Sequence, residues 1–427
     1  MTETVRVGLL GLGNVGGPLA LLLQHQAAEV EARTGVHLEL AAVAVRSTSK
    51  ERAVEVPEGM LTTDAAAVVA DPSIDVIVEV IGGIEPARTL VLDALAAKKP
   101  VVTGNKELLA NHGAELFEAA DAAGVDLLFE AAVAGGIPFM RPLRESLAGE
   151  RIDRIMGIVN GTTNYILTKM TEDGAAYAEA LAEAQELGYA ERDPTADVEG
   201  FDAGAKAAII ASIAFGAKVV AGDVYHEGIS SLTPSDIDYA RKLGYVVKLL
   251  AIAERDAADG SIGIRVHPAM VPLTHPLASV RESYNAVFVE GEAVGNLMFY
   301  GRGAGGSPTA SAVLGDLIDA AANLRKGAHA SLGSLAKATI RPIDDARSEY
   351  YLNLEVADEP GVLAEVAATF GHHGVSIRAM EQEGLGDEAR LVFITHTATE
   401  RAVQATLHDL RELDSVKRIV SMLRVVG

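Results

Sequence analysis

An acidic segment followed by a lysine is the part of the chain best suited to acid–base chemistry. Five carboxylates lie in residues 191–202, and Lys206 carries the only charge in residues 203–217. In a helix Asp202 and Lys206, four residues apart, would share a face. A helix that is apolar nearly all round is buried, and buried charges persist when they are paired or used in chemistry. The segment therefore predicts either a proton-transfer site or a structural ion pair.

A glycine-rich turn near the N-terminus is typical of dinucleotide binding. It follows a short apolar strand and opens a helix, which is the context that this motif requires. The first glycine permits a tight turn, the second admits a pyrophosphate to the helix N-terminus, and the third allows close helix–strand packing. A tight turn without a ligand is the alternative. The six candidate residues are Gly11, Leu12, Gly13, Asn14, Val15 and Gly16.

The end of the second predicted strand is basic, whereas NAD-specific sites usually carry an acid there. Arg46 is followed by Ser47 and Thr48. A guanidinium and two hydroxyls suit a ribose 2′-phosphate, so NADP is the predicted cofactor and NAD the alternative. The alternative interpretation is that Arg46 is a solvated loop residue that binds no cofactor.

Three further loops follow predicted strands. Residues 103–106 lie at the carboxyl edge of the parallel sheet, where Thr103 and Lys106 could reach a ligand, unless Asn105 merely caps a helix. Residues 130–138 combine Glu130 with glycine-rich backbone, which suits either a hard monovalent cation or a tight crossover between domains. Residues 160–164, which include Thr162, offer hydroxyls and amides for a small polar ligand or form an ordinary capped turn.

The composition excludes several classes of function. The chain has 427 residues, 49% of them hydrophobic, and a formal net charge of −23, which argues against nucleic acids and anionic membranes as partners. It has no cysteine, so a cysteine nucleophile is excluded. The N-terminus does not resemble a signal peptide, and no apolar run is long enough to span a bilayer, so we expect a cytoplasmic protein.

The elements that position these residues predict an α/β protein. Residues 1–130 alternate short apolar strands with amphipathic helices, which indicates a Rossmann-type, doubly wound parallel sheet, completed by a helix within 302–340. Residues 131–301 predict an α+β catalytic and dimerisation domain. Its predicted helices cover residues 175–187, 200–220 and 235–253.

The C-terminal part predicts a separate unit. Residues 341–348 are polar and predict a linker. Residues 349–427 show strand and helix patterns in the order βαββαβ, which is typical of a ferredoxin-like fold.

The loops occur in an order that resembles one family. The motifs GLGNVG, TGNKELLA, EAAVAGGIP, NGTTNYI and ERDPTADVEGFDAGAKAAIIA resemble those of homoserine dehydrogenases over residues 1–340. Residues 349–427 are similar to an ACT regulatory domain, through the element order and the junction at residues 358–363.

The resemblance implies a reaction and residue roles. The family interconverts L-homoserine and L-aspartate 4-semialdehyde with a nicotinamide cofactor, in threonine, methionine and isoleucine biosynthesis. Lys206 would donate and accept the proton at the reacting oxygen. Glu191 and Asp202 would hold the amino and hydroxyl groups of homoserine. Lys106 would lie between nicotinamide and substrate, with Thr162 also in the substrate site.

The resemblance also implies further ligands. Gly188 and Gly306 match loops that close on the cofactor. An amino-acid effector such as threonine would bind at the ACT domain, and the family is commonly homo-oligomeric. The residues that match the family's sodium site are Glu130, Val133, Gly135 and Ile137.

Two other functions compete with this interpretation. An aldehyde dehydrogenase on the same scaffold would need a cysteine nucleophile, which the chain lacks. An amino-acid-sensing binding protein with an inactive Rossmann domain would not reduce NADP in the presence of homoserine.

Overall fold

The computed structural model describes residues 4–52, 54–57, 59–384, 386 and 388–426. Its α-helices are α1 (Gly16–Thr34), α2 (Ala65–Ala70), α3 (Ala87–Ala96), α4 (Lys106–Ala123), α5 (Gly161–Glu172), α6 (Tyr177–Glu186), α7 (Thr195–Val198), α8 (Phe201–Phe215), α9 (Pro234–Lys242), α10 (Gly306–Lys326), α11 (Val362–His372) and α12 (Glu400–Arg411). Its strands are β1 (Thr4–Leu10), β2 (His37–Ala44), β3 (Leu61–Thr62), β4 (Val76–Glu79), β5 (Val101–Thr103), β6 (Leu127–Leu128), β7 (Ile152–Ile158), β8 (Ala217–Lys218), β9 (Tyr225–His226), β10 (Tyr245–Arg255), β11 (Ile262–Pro272), β12 (Tyr284–Gly291), β13 (Gly295–Arg302), β14 (Ala336–Lys337), β15 (Arg347–Ala357), β16 (Ile377–Gly384), β17 (Glu388–Thr395), β18 (Ala398–Thr399) and β19 (Val416–Val425).

The chain forms two compact units, and each is assembled from three segments. The first unit comprises Met1–Val159, Gly204–Val224 and Asn285–Ala338. The second comprises Asn160–Ala203, Tyr225–Tyr284 and Thr339–Gly427. The predicted catalytic domain, residues 131–301, is divided between these two units.

A six-stranded parallel sheet forms the centre of the first unit. Its strand order is β3-β2-β1-β4-β5-β6, which confirms the predicted doubly wound fold. Val7 and Leu9 of β1 are fully buried, as are Leu19 of α1 and Val313 and Leu317 of α10. Helix α10 therefore completes the core of the dinucleotide-type fold and lies within residues 302–340, as the sequence predicts.

The rest of the first unit adds antiparallel structure. Strand β12 pairs antiparallel with β7, and β13 flanks β12. The predicted helix over 200–220 ends at Phe215, because Gly216 adopts a left-handed conformation with φ of 59°. Strand β8 follows and pairs with β14.

The predicted helix over 235–253 was wrong in its second half. Helix α9 ends at Lys242, Gly244 turns the chain with φ of 84°, and residues 245–255 form strand β10. This strand pairs along its length with β11, and residues 246–253 are all buried. A fully buried apolar run has no alternation, so its periodicity does not distinguish a strand from a buried helix.

The second unit contains a mixed sheet that includes the C-terminal fold. Its strand order is β10-β11-β19-β15-β17-β16. The order of elements from β15 to β19 confirms the predicted βαββαβ pattern, with the short β18 added before α12. Strand β19 also pairs in parallel with β11, where Ala269 lies opposite Arg424. The C-terminal fold thus continues into the sheet of the same unit.

Residues 341–348, predicted as a linker, are tied to their own unit. Arg341 forms ion pairs with Glu254 and Asp256, and its backbone N–H donates to the carbonyl of Ile262 at 2.9 Å. Strand β15 begins at Arg347. Among the residues described, no helix combines the length and apolar character needed to cross a membrane.

Candidate active site

The glycine-rich turn has the geometry of a pyrophosphate-binding turn. Gly11 has φ of 106°, and a Cβ there would lie 2.8 Å from the carbonyl oxygen of Val80. A Cβ on Gly16 would lie 2.0 Å from the carbonyl oxygen of Gly11. A Cβ on Gly13 would meet no described atom within 4 Å apart from its chain neighbours, so the space before α1 is open. No described side chain caps α1, whose N-terminal amides suit an anion.

Gly306 packs against the same turn. A Cβ on Gly306, the first residue of α10, would lie 2.3 Å from the carbonyl oxygen of Asn14. This contact brings two predicted cofactor residues together. Gly188 lies in the second unit, after α6, with φ of 75°.

Glu79, at the end of β4, is a buried residue that the sequence analysis missed. One carboxylate oxygen accepts from the amides of Ile81 at 2.9 Å and Gly82 at 3.1 Å, and the other accepts from the Thr103 hydroxyl at 2.6 Å. The Thr103 oxygen also accepts from the amide of Asn105 at 3.0 Å. Thr103 therefore shapes the carboxyl edge of the sheet through Glu79.

Lys106 lies exposed at this edge, as the first residue of α4. Asn105 caps the helix by accepting from the amide of Leu108 at 3.1 Å. The capping interpretation is therefore correct for Asn105, and it leaves the side chain of Lys106 at the sheet edge where ligands bind.

Arg46 is exposed just beyond the end of β2. Arg52 folds back towards the same loop and donates to the carbonyls of Lys50, at 2.7 Å, and Ser47. A second guanidinium thus lies near the predicted 2′-phosphate position. The basic composition of residues 46–52 was the available signal for it.

The carboxylate of Glu130 caps the turn that follows its own loop. It accepts from the amides of Phe139 at 2.5 Å, Met140 at 2.7 Å and Arg141 at 2.8 Å. Burial raises the pKa of Glu130, and these amides and Arg144 oppose that rise. Both carboxylate oxygens are engaged, whereas the backbone carbonyl of Glu130 accepts one long hydrogen bond, 3.5 Å from the amide of Val133, and could still bind a cation.

The loop after Glu130 presents buried carbonyl groups. Among the residues that the structure describes, none donates a hydrogen bond to the carbonyl oxygens of Val133, Gly135 or Ile137, and all three residues are buried. Gly135 has φ of 53°, and a Cβ there would lie 2.2 Å from the carbonyl of Gly303. Buried carbonyls are normally paired, so these three suit an oxygen-liganded ion or water. The described residues include no cluster of three or more acidic or histidine side chains suited to a metal.

Lys206 is buried in α8, with 8% of its surface exposed. Its Nζ donates to the carbonyl oxygen of Val159 at 2.6 Å, directly after β7. Asp202 lies one turn earlier in the same helix. The predicted buried lysine is therefore present, and a carbonyl fixes the direction of its amine.

Asn160 brings two acids of the 191–202 segment together. Its Oδ1 caps α5 by accepting from the amide of Thr163 at 2.9 Å. Its Nδ2 donates to Asp197 at 2.6 Å and to Asp202 at 2.9 Å. Sequence reasoning did not single out Asp197 or Asn160, although both lie in the quoted motifs.

The remaining predicted substrate residues differ in their surroundings. Thr162 is buried, and its hydroxyl donates to the carbonyl of Tyr189 at 2.7 Å, so it anchors the loop that contains Gly188. Glu191 is exposed, two residues further along that loop.

Lys248 is a buried amine that the sequence analysis also missed. It donates to the Oδ1 of Asn164 at 3.0 Å and to the carbonyl of Val280, and burial lowers its pKa to about 8. Asn164 in turn donates to the carbonyl of Glu282 at 2.8 Å. These contacts fix the start of α5, where Asn160 and Thr162 lie.

The chain is similar to known proteins over its whole length. A profile described as Homoserine dehydrogenase matches residues 138–318, and one described as Homoserine dehydrogenase, NAD binding domain, matches residues 11–130. The homoserine dehydrogenase of Mycobacterium tuberculosis is 51% identical over 435 residues, which cover 100% of this chain and 98% of that protein. The chain belongs to the homoserine dehydrogenase family. An ACT domain profile matches residues 350–415, which confirms the predicted C-terminal domain.

Solved structures agree with this assignment. The crystal structure of a homoserine dehydrogenase from Thiobacillus denitrificans is 44% identical, with a TM-score of 0.94, and covers 100% of this chain and 99% of that one. A hyperthermophilic archaeal homoserine dehydrogenase in complex with NADPH is 28% identical, with a TM-score of 0.62, over 74% of this chain and 98% of that one. As a homoserine dehydrogenase, the chain is an oxidoreductase with a nicotinamide cofactor. The comparisons do not support the alternative of an amino-acid sensor with an inactive Rossmann domain.

Proposed function

We propose that this protein interconverts L-homoserine and L-aspartate 4-semialdehyde with NADP, and that Lys206 moves the proton at the reacting oxygen. The observation that carries the proposal is the burial of Lys206 in an apolar helix, with its amine held by the carbonyl of Val159. Buried charged groups persist where they are paired or used in chemistry. The reaction would serve threonine, methionine and isoleucine biosynthesis.

A residue of this chain, Lys206, would donate and accept the proton. The bound nicotinamide supplies or accepts the hydride at the substrate carbon. During reduction the ammonium of Lys206 donates a proton to the carbonyl oxygen, and during oxidation its amine takes the proton from the homoserine hydroxyl. The contact with Val159 restricts the rotamers of Lys206, which favours a fixed position for the transferred proton.

Acidic residues would bind the amino alcohol. Asp202 is held in place by Asn160, which supports a role in binding the homoserine hydroxyl or ammonium group. Asp197 shares the same amide and is a further candidate. Glu191 and Lys106 are exposed, which leaves both side chains accessible to a ligand.

The residues of the first unit fit a dinucleotide. The open space before Gly13, together with the tight packing at Gly11 and Gly16, leaves room for a pyrophosphate at the start of α1. Arg46 and Arg52 would bind the 2′-phosphate, since guanidinium groups match phosphate geometry. The choice of NADP rests on Arg46, and the archaeal relative was solved in complex with NADPH.

A sodium ion would be held by carbonyl oxygens. The buried carbonyls of Val133, Gly135 and Ile137 accept no hydrogen bond from the described residues, which supports this site. The fourth ligand would be the carbonyl of Glu130, because its carboxylate is engaged by amides. Such a site would brace the loop between β6 and β7.

A spectrophotometric assay tests the proposed reaction and cofactor. We expect homoserine-dependent reduction of NADP at 340 nm, with a higher kcat/KM for NADP than for NAD. Arg46→Asp should lower kcat/KM for NADP by at least about tenfold, since a charge-assisted contact to phosphate is lost. Arg33→Asp, an exposed charge reversal at the end of α1, is the matched control. No reduction of either cofactor would reject the reaction, and an unchanged cofactor ratio in Arg46→Asp would reject the role of Arg46.

A further inference from the structure

A buried lysine of β10 has no role in the reaction described above. Lys248 is 2% exposed, and its Nζ donates to the Oδ1 of Asn164 at 3.0 Å and to the carbonyl of Val280. Among the residues described, no carboxylate forms an ion pair or hydrogen bond with it. Taking an ammonium out of water is costly, and a methionine would fill a similar volume without that cost. The ammonium therefore indicates a function that depends on its hydrogen bonds.

Lys248 determines which way the side-chain amide of Asn164 points. An ammonium can only donate, so the atom of Asn164 that faces it is the oxygen. The Nδ2 of Asn164 is then directed at the segment 280–284, where it donates to the carbonyls of Glu282 at 2.8 Å and Tyr284 at 3.2 Å. Asn164 is 1% exposed, so bulk water does not compete for these bonds.

The segment 280–284 contains a strained turn whose backbone is held by side chains of α5. Glu282 has φ of 53°, a left-handed conformation that is costly for a residue with a side chain. Its amide donates to the hydroxyl of Thr168 at 3.1 Å, and its carbonyl accepts from Asn164. Both backbone groups of Glu282 are therefore fixed from α5, and a strained conformation persists only with such support.

The same segment packs against the first residue of α5. A Cβ on Gly161 would lie 2.8 Å from the carbonyl oxygen of Ser283, so the two backbones are in close contact. The chain neighbours of Gly161 are Asn160 and Thr162. Asn160 in turn donates to Asp202 at 2.9 Å. A movement of the turn would therefore displace residues that hold the proposed substrate acids.

We propose that Lys248 is a positioning residue for homoserine. Its ammonium orients Asn164, which with Thr168 holds the turn at Glu282, and the turn fixes the first residues of α5. These four residues form the α5 clamp. The effect on homoserine rests on the function proposed above, whereas the contacts of the clamp do not. All four lie in the second unit, so the clamp should act on the amino alcohol and not on the dinucleotide, whose proposed site lies in the first unit.

Lysine-to-methionine variants of the full-length protein test this role. Lys248→Met should raise the KM for homoserine by about tenfold or more, because small displacements of binding groups are costly. Its kcat should stay within about threefold, and its Kd for NADPH within about twofold, of the wild type. Lys99→Met is the matched control, since Lys99 is a buried lysine of the first unit that donates to the carbonyls of Val69, at 2.7 Å, and Asp71. It should lose stability and keep the wild-type KM.

Threonine-to-valine variants test the clamp without altering Lys248. Thr168→Val removes the acceptor for the amide of Glu282 and should raise the KM for homoserine by about threefold or more. Thr171→Val is its control on the same helix, because the Thr171 hydroxyl donates to the carbonyl of Leu167 at 2.7 Å, and the KM should not change. Lys248→Met combined with Thr168→Val should raise the KM by less than the product of the single effects, because both act on one turn.

The role of Lys248 is refuted if Lys248→Met keeps the wild-type KM, if Lys99→Met raises it equally, or if Lys248→Met weakens NADPH binding in parallel. An unchanged KM in Thr168→Val would refute the path through Glu282, and this variant decides the matter if Lys248→Met does not fold. A wild-type protein that does not oxidise homoserine would refute the proposed function and this role with it. An active enzyme whose KM is insensitive to both variants would refute the clamp alone.

Discussion

Asp316, in the middle of α10, is a buried acid next to the predicted cation loop. Its carboxylate accepts the backbone N–H of Glu130 at 2.7 Å. Burial raises the pKa of Asp316 to about 8, and the nearby Glu130 carboxylate adds to the rise. The folded protein therefore keeps a proton on Asp316 at a pH where the unfolded chain has lost it.

This shift predicts a stability that depends on pH. Between the unfolded pKa near 4 and the folded pKa near 8 the native state binds the extra proton, so stability falls as pH rises through that window. Asp316→Asn keeps an acceptor for Glu130 and removes the titration. We expect the melting temperature to fall less in this variant than in the wild type between about pH 5.5 and about pH 8.5.

The control for this measurement is Asp153→Asn, an exposed acid in the same unit. It should follow the wild type. If the melting temperature fell equally with rising pH in the wild type and in Asp316→Asn, Asp316 would be ionised over the whole pH range measured.

For single residues, the sequence predicts properties that depend on chain neighbours, but it does not predict contacts with distant residues. The burial of Lys206 was predicted from the apolar run around it, which is a local property. The partners of Asn160 lie 37 and 42 residues away in the chain, and no local pattern specifies them. For the same reason the sequence did not reveal that the carboxylate of Glu130 caps the turn at Phe139.

At the scale of elements, the turn before α1 makes different demands on its glycines. Gly16 has no room for a Cβ, because the carbonyl of Gly11 would lie 2.0 Å from it. Gly13 has open space instead, which the proposed pyrophosphate would fill. One position is therefore constrained by the fold and the other by the ligand.

Two alanine variants separate these demands. Gly16→Ala should lower the melting temperature and abolish NADPH binding, since backbone must move to admit the methyl group. Gly13→Ala should leave the melting temperature unchanged and weaken NADPH binding by about tenfold or more, measured by fluorescence titration. Gly13→Ala is thus the matched control for folding. Full NADPH affinity in Gly13→Ala would place the pyrophosphate elsewhere.

Elements were predicted well where their hydrophobic pattern was periodic. Helix α1 opens directly after the glycine-rich turn, as predicted, and Gly35 ends it in a left-handed conformation. The error at β10 arose in a run that is buried throughout. There the choice of strand depends on pairing with β11, a contact that the sequence does not contain.

At the scale of the whole molecule, Arg424 joins the ACT domain to the rest of its unit, because it pairs with Glu400 inside the domain and with Glu227 outside it. Glu400 accepts from Arg424 and also from the hydroxyl of Tyr350 at 3.0 Å. Burial works against the charge on Glu400, yet Arg424 and the hydrogen bonds hold its pKa below the usual value. The sequence predicts the ACT domain as a separate unit. It does not reveal that β19 pairs with β11, because this contact joins distant parts of the chain.

Neutralising Glu400, the buried partner of Arg424, should lower the free energy of unfolding. Glu400→Gln leaves Arg424 buried with fewer charged partners, and we expect a loss of up to about 3–5 kcal/mol in unfolding free energy. Glu412→Gln, exposed just beyond the end of α12, is the control and should change stability by less than about 0.5 kcal/mol. Chemical denaturation measures both. Equal stability of the two variants would show that the network contributes little.

The proton-transfer role of Lys206 is tested most directly by a lysine-to-methionine variant that is assayed for both turnover and cofactor binding. Lys206→Met should lower kcat with L-aspartate 4-semialdehyde and NADPH by about 10²–10⁴-fold, with the Kd for NADPH within about twofold of the wild type. Lys218→Met, which removes an exposed lysine paired with Glu118, should retain full activity. A kcat for Lys206→Met within about tenfold of the wild type, or a parallel loss of NADPH binding, would contradict the assignment.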